Sequence, residues 1–231
     1  MRTDLIDFSN RRLFTPYTHP ESGVTSYILT RKVAPVQEAF YFVNESISDD
    51  GRYLWFYTAF PPSGTAARGR TLGVVDFSTQ EVRHFPETQF GEASPYLDTA
   101  TGDIYWNYDR YVWKRGPQAD APLVLVNAVP DDLICGRQVL RAATHLTRSA
   151  DGKAFFIDLG LEMQWLFGSL PIDGSDFQLS HRFDRLYNRN YHIDPHPRFC
   201  CGDRYVVFTT TVRSEVDVAI VPTAALLEKT Q

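Results

Sequence analysis

The segment Tyr191-His192-Ile193-Asp194-Pro195-His196-Pro197-Arg198-Phe199 sets two imidazoles and a carboxylate at alternate positions. If it is extended, His192, Asp194 and His196 point to one side, because strand side chains alternate with period two. Two imidazole nitrogens and one carboxylate make a mixed N/O donor set that suits Mn, Fe or Zn. The pattern is short, and in a proline-rich loop the same histidines simply hydrogen-bond backbone or water. Its meaning therefore depends on where the fold puts it. Arginines gather near it and near a further histidine. Arg137, Arg141 and Arg148 flank His145, while Arg182, Arg185 and Arg189 precede His192. Guanidinium groups bind carboxylates through paired hydrogen bonds, so the cluster suits an acidic substrate, with Arg185 and Arg189 as candidate contacts. For any single arginine, ordinary surface solvation is the competing account.

The elements that must position these groups come from a repeat. ISDDGRYLWFYT (47–58), LDTATGDIYWNY (97–108), TRSADGKAFFID (147–158) and FCCGDRYVVFTT (199–210) each join a polar glycine turn to an alternating aromatic and β-branched run. Gly51, Gly102, Gly152 and Gly202 are spaced by 51, 50 and 50 residues, the signature of stacked supersecondary units. The spacing predicts a short strand before each turn: 40–44, 94–97, 144–147 and 196–200. The strong strand follows, then a third at 72–77, 111–114, 165–171 and 216–222. The first three units add a fourth at 81–85, 123–126 and 177–183. The last unit lacks one, and residues 24–29 are placed to supply it and close a ring. The expectation is an all-β chain: one β-propeller domain over residues 1–231, with four to five visible blades of about 50 residues. A β-sandwich is the alternative, but sandwiches rarely keep so constant a period.

In a propeller, equivalent stations of the repeats face one axis. His196 lies six residues before Gly202 and His145 seven before Gly152; Asn44 and Glu45 hold the matching places in the first repeat, and Pro95 and Tyr96 in the second. This brings His145 and His196 into one candidate site. Tyr105, Trp106, Tyr108, Tyr111 and Trp113 resemble a sugar-stacking platform, but on alternating strand positions most belong to inter-blade core. His19, His84 and His181 fall outside the shared station and read as structural or exposed.

Composition sets the bounds. The chain of 231 residues is 43% hydrophobic and 22% charged, near the globular average, and its net charge of −5 gives no support for a nucleic-acid surface. Three cysteines, Cys135, Cys200 and Cys201, form no disulfide framework and no zinc spacing, which fits a reducing compartment. No signal-peptide core or membrane-length apolar run is present, so a cytoplasmic protein without membrane partners is expected.

HPESGVTSYIL, FYFVNESISDDGRYLWFY and above all YHIDPHPRFCCGDRYVVFTTTVRSEVDVAIVP resemble the oligogalacturonate lyases and their relatives. The resemblance runs along most of the chain. It implies a seven-bladed propeller that cleaves short pectin fragments by β-elimination, with a manganese ion held by histidines and a glutamine, and a histidine base beside an arginine. His196-Pro197 matches the end of the family's metal motif, Gln-x-x-His-x-His-Pro. The earlier histidine falls at Asp194 and the glutamine at Tyr191 or His192, so the implied metal set is His192, Asp194 and His196. His145 matches either the base or another ligand histidine, and its basic partner is Arg137 or Arg141. Seven blades need more chain than this, so either a smaller propeller or a shortened one is implied. The expected function is a Mn2+-dependent lyase acting on small acidic oligosaccharides. The alternative is a non-catalytic propeller binding a carbohydrate or protein partner. A lyase must hold metal in stoichiometric amount and release an unsaturated product.

Overall fold

The computed structural model describes residues 6–10, 12–41, 43–63, 69–90, 95–134, 147–149, 152–160, 164–176, 178–184, 198–210, 212–213 and 215–225. They form four antiparallel sheets. β1 (Phe14–Thr18) and β2 (Thr25–Leu29) make a hairpin, with Phe14 opposite Leu29. β3 (Val36–Glu38), β4 (Tyr53–Ala59), β5 (Arg70–Asp76) and β6 (Glu81–Phe90) form a sheet in chain order. So do β7 (Tyr96–Leu97), β8 (Ile104–Tyr108), β9 (Tyr111–Arg115) and β10 (Val124–Ala128). After a four-residue helix, α1 (Asp131–Ile134), come β11 (Thr147–Arg148), β12 (Ala154–Gly160), β13 (Gln164–Pro171) and β14 (Gln178–Asp184), again in order. β15 (Arg198–Cys200), β16 (Tyr205–Thr210) and β17 (Asp217–Pro222) complete the set.

The last sheet runs β1-β2-β17-β16-β15, so the N-terminal hairpin adds to the C-terminal strands through Ala219 opposite Ile28 and Ile220 opposite Tyr27. The strand expected at 24–29 thus lends its edge to the unit that lacked one, and β1 extends it further. Residues 223–225 are helical.

The four repeat glycines all sit in the turn between the first two strands of their sheets, at φ of 70°, 80°, 71° and 61°. That left-handed conformation is open to glycine at little cost, which is why the residue recurs there. The turns also touch one another. Asp49 N–H donates to Thr99 O at 2.8 Å, and Trp55 Nε1–H donates to Gly102 O at 3.0 Å, joining the first repeat to the second. Arg148 Nη1 reaches Asp98 Oδ2 at 2.6 Å, joining the second to the third. The Cys201 thiol lies 3.7 Å from Ser48 O, joining the last to the first.

The first strand of the first repeat differs from the expectation at 40–44. It runs at Val36–Glu38, and the ladder resumes at Ile47, which bridges Leu54. Between them Phe40 is spent on packing: it is fully buried, its ring 4.8 Å from that of Tyr57, while Val43 is exposed. Asn44 N–H turns back to Tyr41 O at 2.9 Å.

β4 is buried on both faces, because period two sends alternate residues into two cores. Leu54 and Phe56 join Phe14, Leu29, Val75, Val207 and Ile220; Trp55 and Tyr57 join Leu72, Phe85, Ile104 and Trp106. A Cβ at Gly73 would collide with the Phe56 ring, so that glycine is needed for close approach and not for a turn. The expected aromatic platform divides accordingly. Tyr105 and Trp106 are core, Trp113 packs against it, and Tyr108 is exposed.

Candidate functional site

Each sheet begins with a short strand at one edge, followed by its glycine turn. The residues entering those strands are where the repeats compare station by station. His145 lies two residues ahead of β11 and His196 two residues ahead of β15. In the first repeat Glu45 lies two residues ahead of the Ile47 bridge. Counted from the glycine turns, His145 and His196 fall within one residue of the same station.

The expected site residues Arg137, Arg141, His145, Arg185, Arg189, His192, Asp194 and His196 lie outside the described residues. They belong to two segments, 135–146 and 185–197, that lead into β11 and β15. The described residues around these entries are Glu45, Tyr96, Arg148 and Arg198. Arg198 Nη2 lies 2.6 Å from Glu45 Oε1 and links the last sheet to the first repeat. Arg148 is held by Asp98. Burial opposes the Arg148 charge, but Asp98 and the Tyr96 side chain outweigh it and raise its pKa. Both guanidinium groups are oriented by a carboxylate partner, Asp98 for Arg148 and Glu45 for Arg198.

Beside Glu45, the Nδ2 of Asn44 and the Oγ of Ser46 are buried and have no hydrogen-bond partner among the described residues. Buried polar groups normally find partners, so an unpaired pair flanking the entry is notable. Arg148 was within reach of sequence reasoning, as one of the arginines around His145. Arg198 carries a weaker signal, its adjacency to His196-Pro197, and Glu45 only its repeat station.

Other reactive groups are structural. His84 accepts or donates at 2.8 Å with Thr71 Oγ1, which in turn meets Thr58 Oγ1 at 2.6 Å, and burial lowers the imidazole pKa. His19 is exposed, its Nδ1 accepting from Ser22 N–H at 3.3 Å. Cys200 and Cys201 are buried free thiols, raised by burial to about 12 and about 11. Among the described residues no group of three His, Cys, Asp or Glu is arranged to hold a metal ion. Nor, among them, is any helix long and apolar enough to cross a membrane.

With the fold and the site laid out, the chain can be set beside known proteins. No protein-family model and no curated protein matches it. Solved structures do. An oligogalacturonate lyase from Vibrio parahaemolyticus superposes with a TM-score of 0.54 at 12% identity, covering 85% of this chain and 52% of the lyase. A second oligogalacturonate lyase, in complex with manganese, gives a TM-score of 0.36 at 11% identity over 92% of this chain and 97% of that one. TolB from Acinetobacter baumannii gives 0.41 at 12% identity over 90% of this chain and 53% of that one. The chain is a distant fold relative of the Vibrio lyase. It spans about half of that lyase's length.

Proposed function

We propose that the four sheets are blades of a propeller, and that the chain is a metal-dependent lyase acting on short uronic-acid oligosaccharides, with oligogalacturonides as the first candidates. The observation that carries this reading is the shared repeat station of His145 and His196, seven and six residues before equivalent glycine turns, with the anchored Arg148 and Arg198 in the strands that enter those turns. The fold shared with the Vibrio enzyme supports the architecture.

β-Elimination at a uronate breaks the C5–H and C4–O bonds and forms a C4–C5 double bond. Negative charge develops on the carboxylate side of the sugar as the proton leaves. A guanidinium that binds this carboxylate more strongly as charge builds lowers the barrier. On this reading Arg185 and Arg189 bind substrate, and Arg137 or Arg141 stands beside the reacting centre. His145, neutral near pH 7, takes the C5 proton. His192, Asp194 and His196 offer a donor set suited to Mn2+, which when bound supplies Lewis-acid stabilisation of the same charge. The leaving oxygen at C4 takes a proton as the bond breaks.

A non-catalytic propeller that binds a carbohydrate or protein is the second reading, favoured by one fact: the chain spans only 52% of the lyase it resembles in fold. One experiment separates the two. Purified protein is assayed for bound Mn and for ultraviolet absorbance of the unsaturated product from digalacturonate. About one ion per chain with turnover supports the lyase. Metal without turnover points to a degenerate relative, and neither metal nor turnover in a folded sample leaves the binding module.

A further inference from the structure

A cleft of about 670 Å³ lies between outer strands of the sheets. Its walls include Arg12 and Arg31, which flank the β1–β2 hairpin, Gln80 of the β5–β6 turn, Glu81 and Arg83 of β6, and Ala119 of the β9–β10 connection. β1 and β6 are edge strands, at the opposite edges of their sheets from β15 and β3. The cleft is thus separate from the strand entries on which the proposed lyase chemistry rests. Its volume falls in the range of small-molecule sites.

Most of the described arginines are ion-paired. Arg52, Arg70, Arg115, Arg148 and Arg198 each meet a carboxylate. Arg83 does too, lying 3.7 Å from Asp76 and also engaging Glu81, while its Nη1 donates to Pro117 O at 3.5 Å and closes one wall. Arg12 and Arg31 are exposed, and among the described residues neither forms an ion pair. The backbone holds them side by side. Asn10 Oδ1 accepts from Arg12 N–H at 3.0 Å, and Leu13 O accepts from both Thr30 N–H at 3.0 Å and Arg31 N–H at 3.2 Å. Among the described residues, two cations without an ion pair thus line one cleft of a chain with net charge −5, with the Glu81 carboxylate engaged by Arg83. Gln80 Nε2–H donates to Phe77 O at 2.8 Å, which orients the amide, and among the described residues its Oε1 has no partner. The wall thus holds an acceptor for a ligand hydroxyl.

We propose that this cleft binds a small hydroxylated anion with at least two negative groups, carboxylate or phosphate, with Arg12 and Arg31 as its principal partners. Paired guanidinium groups meet such groups through two parallel hydrogen bonds each. The site is a binding site distinct from the strand entries, and it does not depend on the lyase reading.

Calorimetry on the full chain at low ionic strength tests this, with citrate as the carboxylate probe and inorganic pyrophosphate as the phosphate probe. Saturable binding of one ligand per chain is expected, weakening as salt is added. Replacing both arginines, Arg12→Ser with Arg31→Ser, should weaken it about tenfold or more. Arg12→Lys with Arg31→Lys keeps the charge and loses the fork, so its effect should be smaller. Arg213→Ser, at an exposed arginine outside the cleft, should change nothing. Tighter citrate assigns a carboxylate ligand, and tighter pyrophosphate a phosphate. The proposal is overturned if neither probe saturates, if the double serine variant binds as the parent does, or if Arg213→Ser weakens binding equally.

Discussion

Glu45 and Arg198, 153 residues apart in sequence, form an ion pair of 2.6 Å that ties the last sheet to the first repeat. Both side chains are about a third exposed, so solvent screens them. A double-mutant cycle with Glu45→Gln and Arg198→Gln should give a coupling of about 0.5–1 kcal/mol in urea denaturation at low salt, shrinking at high salt. Zero coupling at low salt would mean that the pair does not hold this seam.

Gly102 and Gly202 occupy equivalent turns but different surroundings. Both have positive φ, so an alanine at either is strained by about 1 kcal/mol. A Cβ at Gly102 would also lie 2.8 Å from the Tyr53 ring, while at Gly202 it meets nothing. Gly102→Ala should therefore cost about 1–3 kcal/mol more than Gly202→Ala in urea or thermal melts. Equal costs would show that the second turn is not packed against the first repeat.

The thiols of Cys200 and Cys201 should be inert in the folded protein. Burial raises them to about 12 and about 11, so almost no thiolate exists near pH 8. Peptide mapping after iodoacetamide treatment should find this Cys-Cys pair unmodified until denaturant is added. Rapid native labelling would contradict the burial.

The same shift predicts a pH dependence. Unfolded thiols lose protons near 9.0, while the folded ones hold them to about 11 and 12. The folded state then binds more protons, so this contribution to stability is complete below about pH 9 and falls as pH rises toward 11. Between pH 8 and 10 the urea midpoint should drop more in the parent than in Cys200→Ala. An equal drop in both would assign the effect to other groups.

His145→Ala separates the two roles open to that residue. If His145 is the base, the variant keeps its metal and loses turnover; if it is a ligand, metal content falls as well. His196→Ala should lose most of the metal in either case, since one strong ligand is gone from a set of three. Full metal retention by His196→Ala would remove the proposed ligand set.

Much of the architecture was legible in the sequence because it is local. The 51, 50, 50 spacing marks turns that need a left-handed residue, and alternating aromatics mark the strand after each turn, so β4, β8, β12 and β16 fall where the repeat puts them. The borrowed edge at β2 was legible because a strand pattern without a partner stood opposite a unit lacking one. Phe40–Val43 misled for a physical reason: an apolar run satisfies a core as well as a ladder, and only the packing of Phe40 under Tyr57 decides between them. The sequence alone determined the all-β class and the repeat. Tertiary structure alone decided what the distant charges do. Nothing local marks Glu45 as the partner of Arg198 or Asp98 as that of Arg148, nor Arg12 and Arg31 as lining one cleft. Charges interact through space, and the chain must fold before separations along it become separations in ångströms.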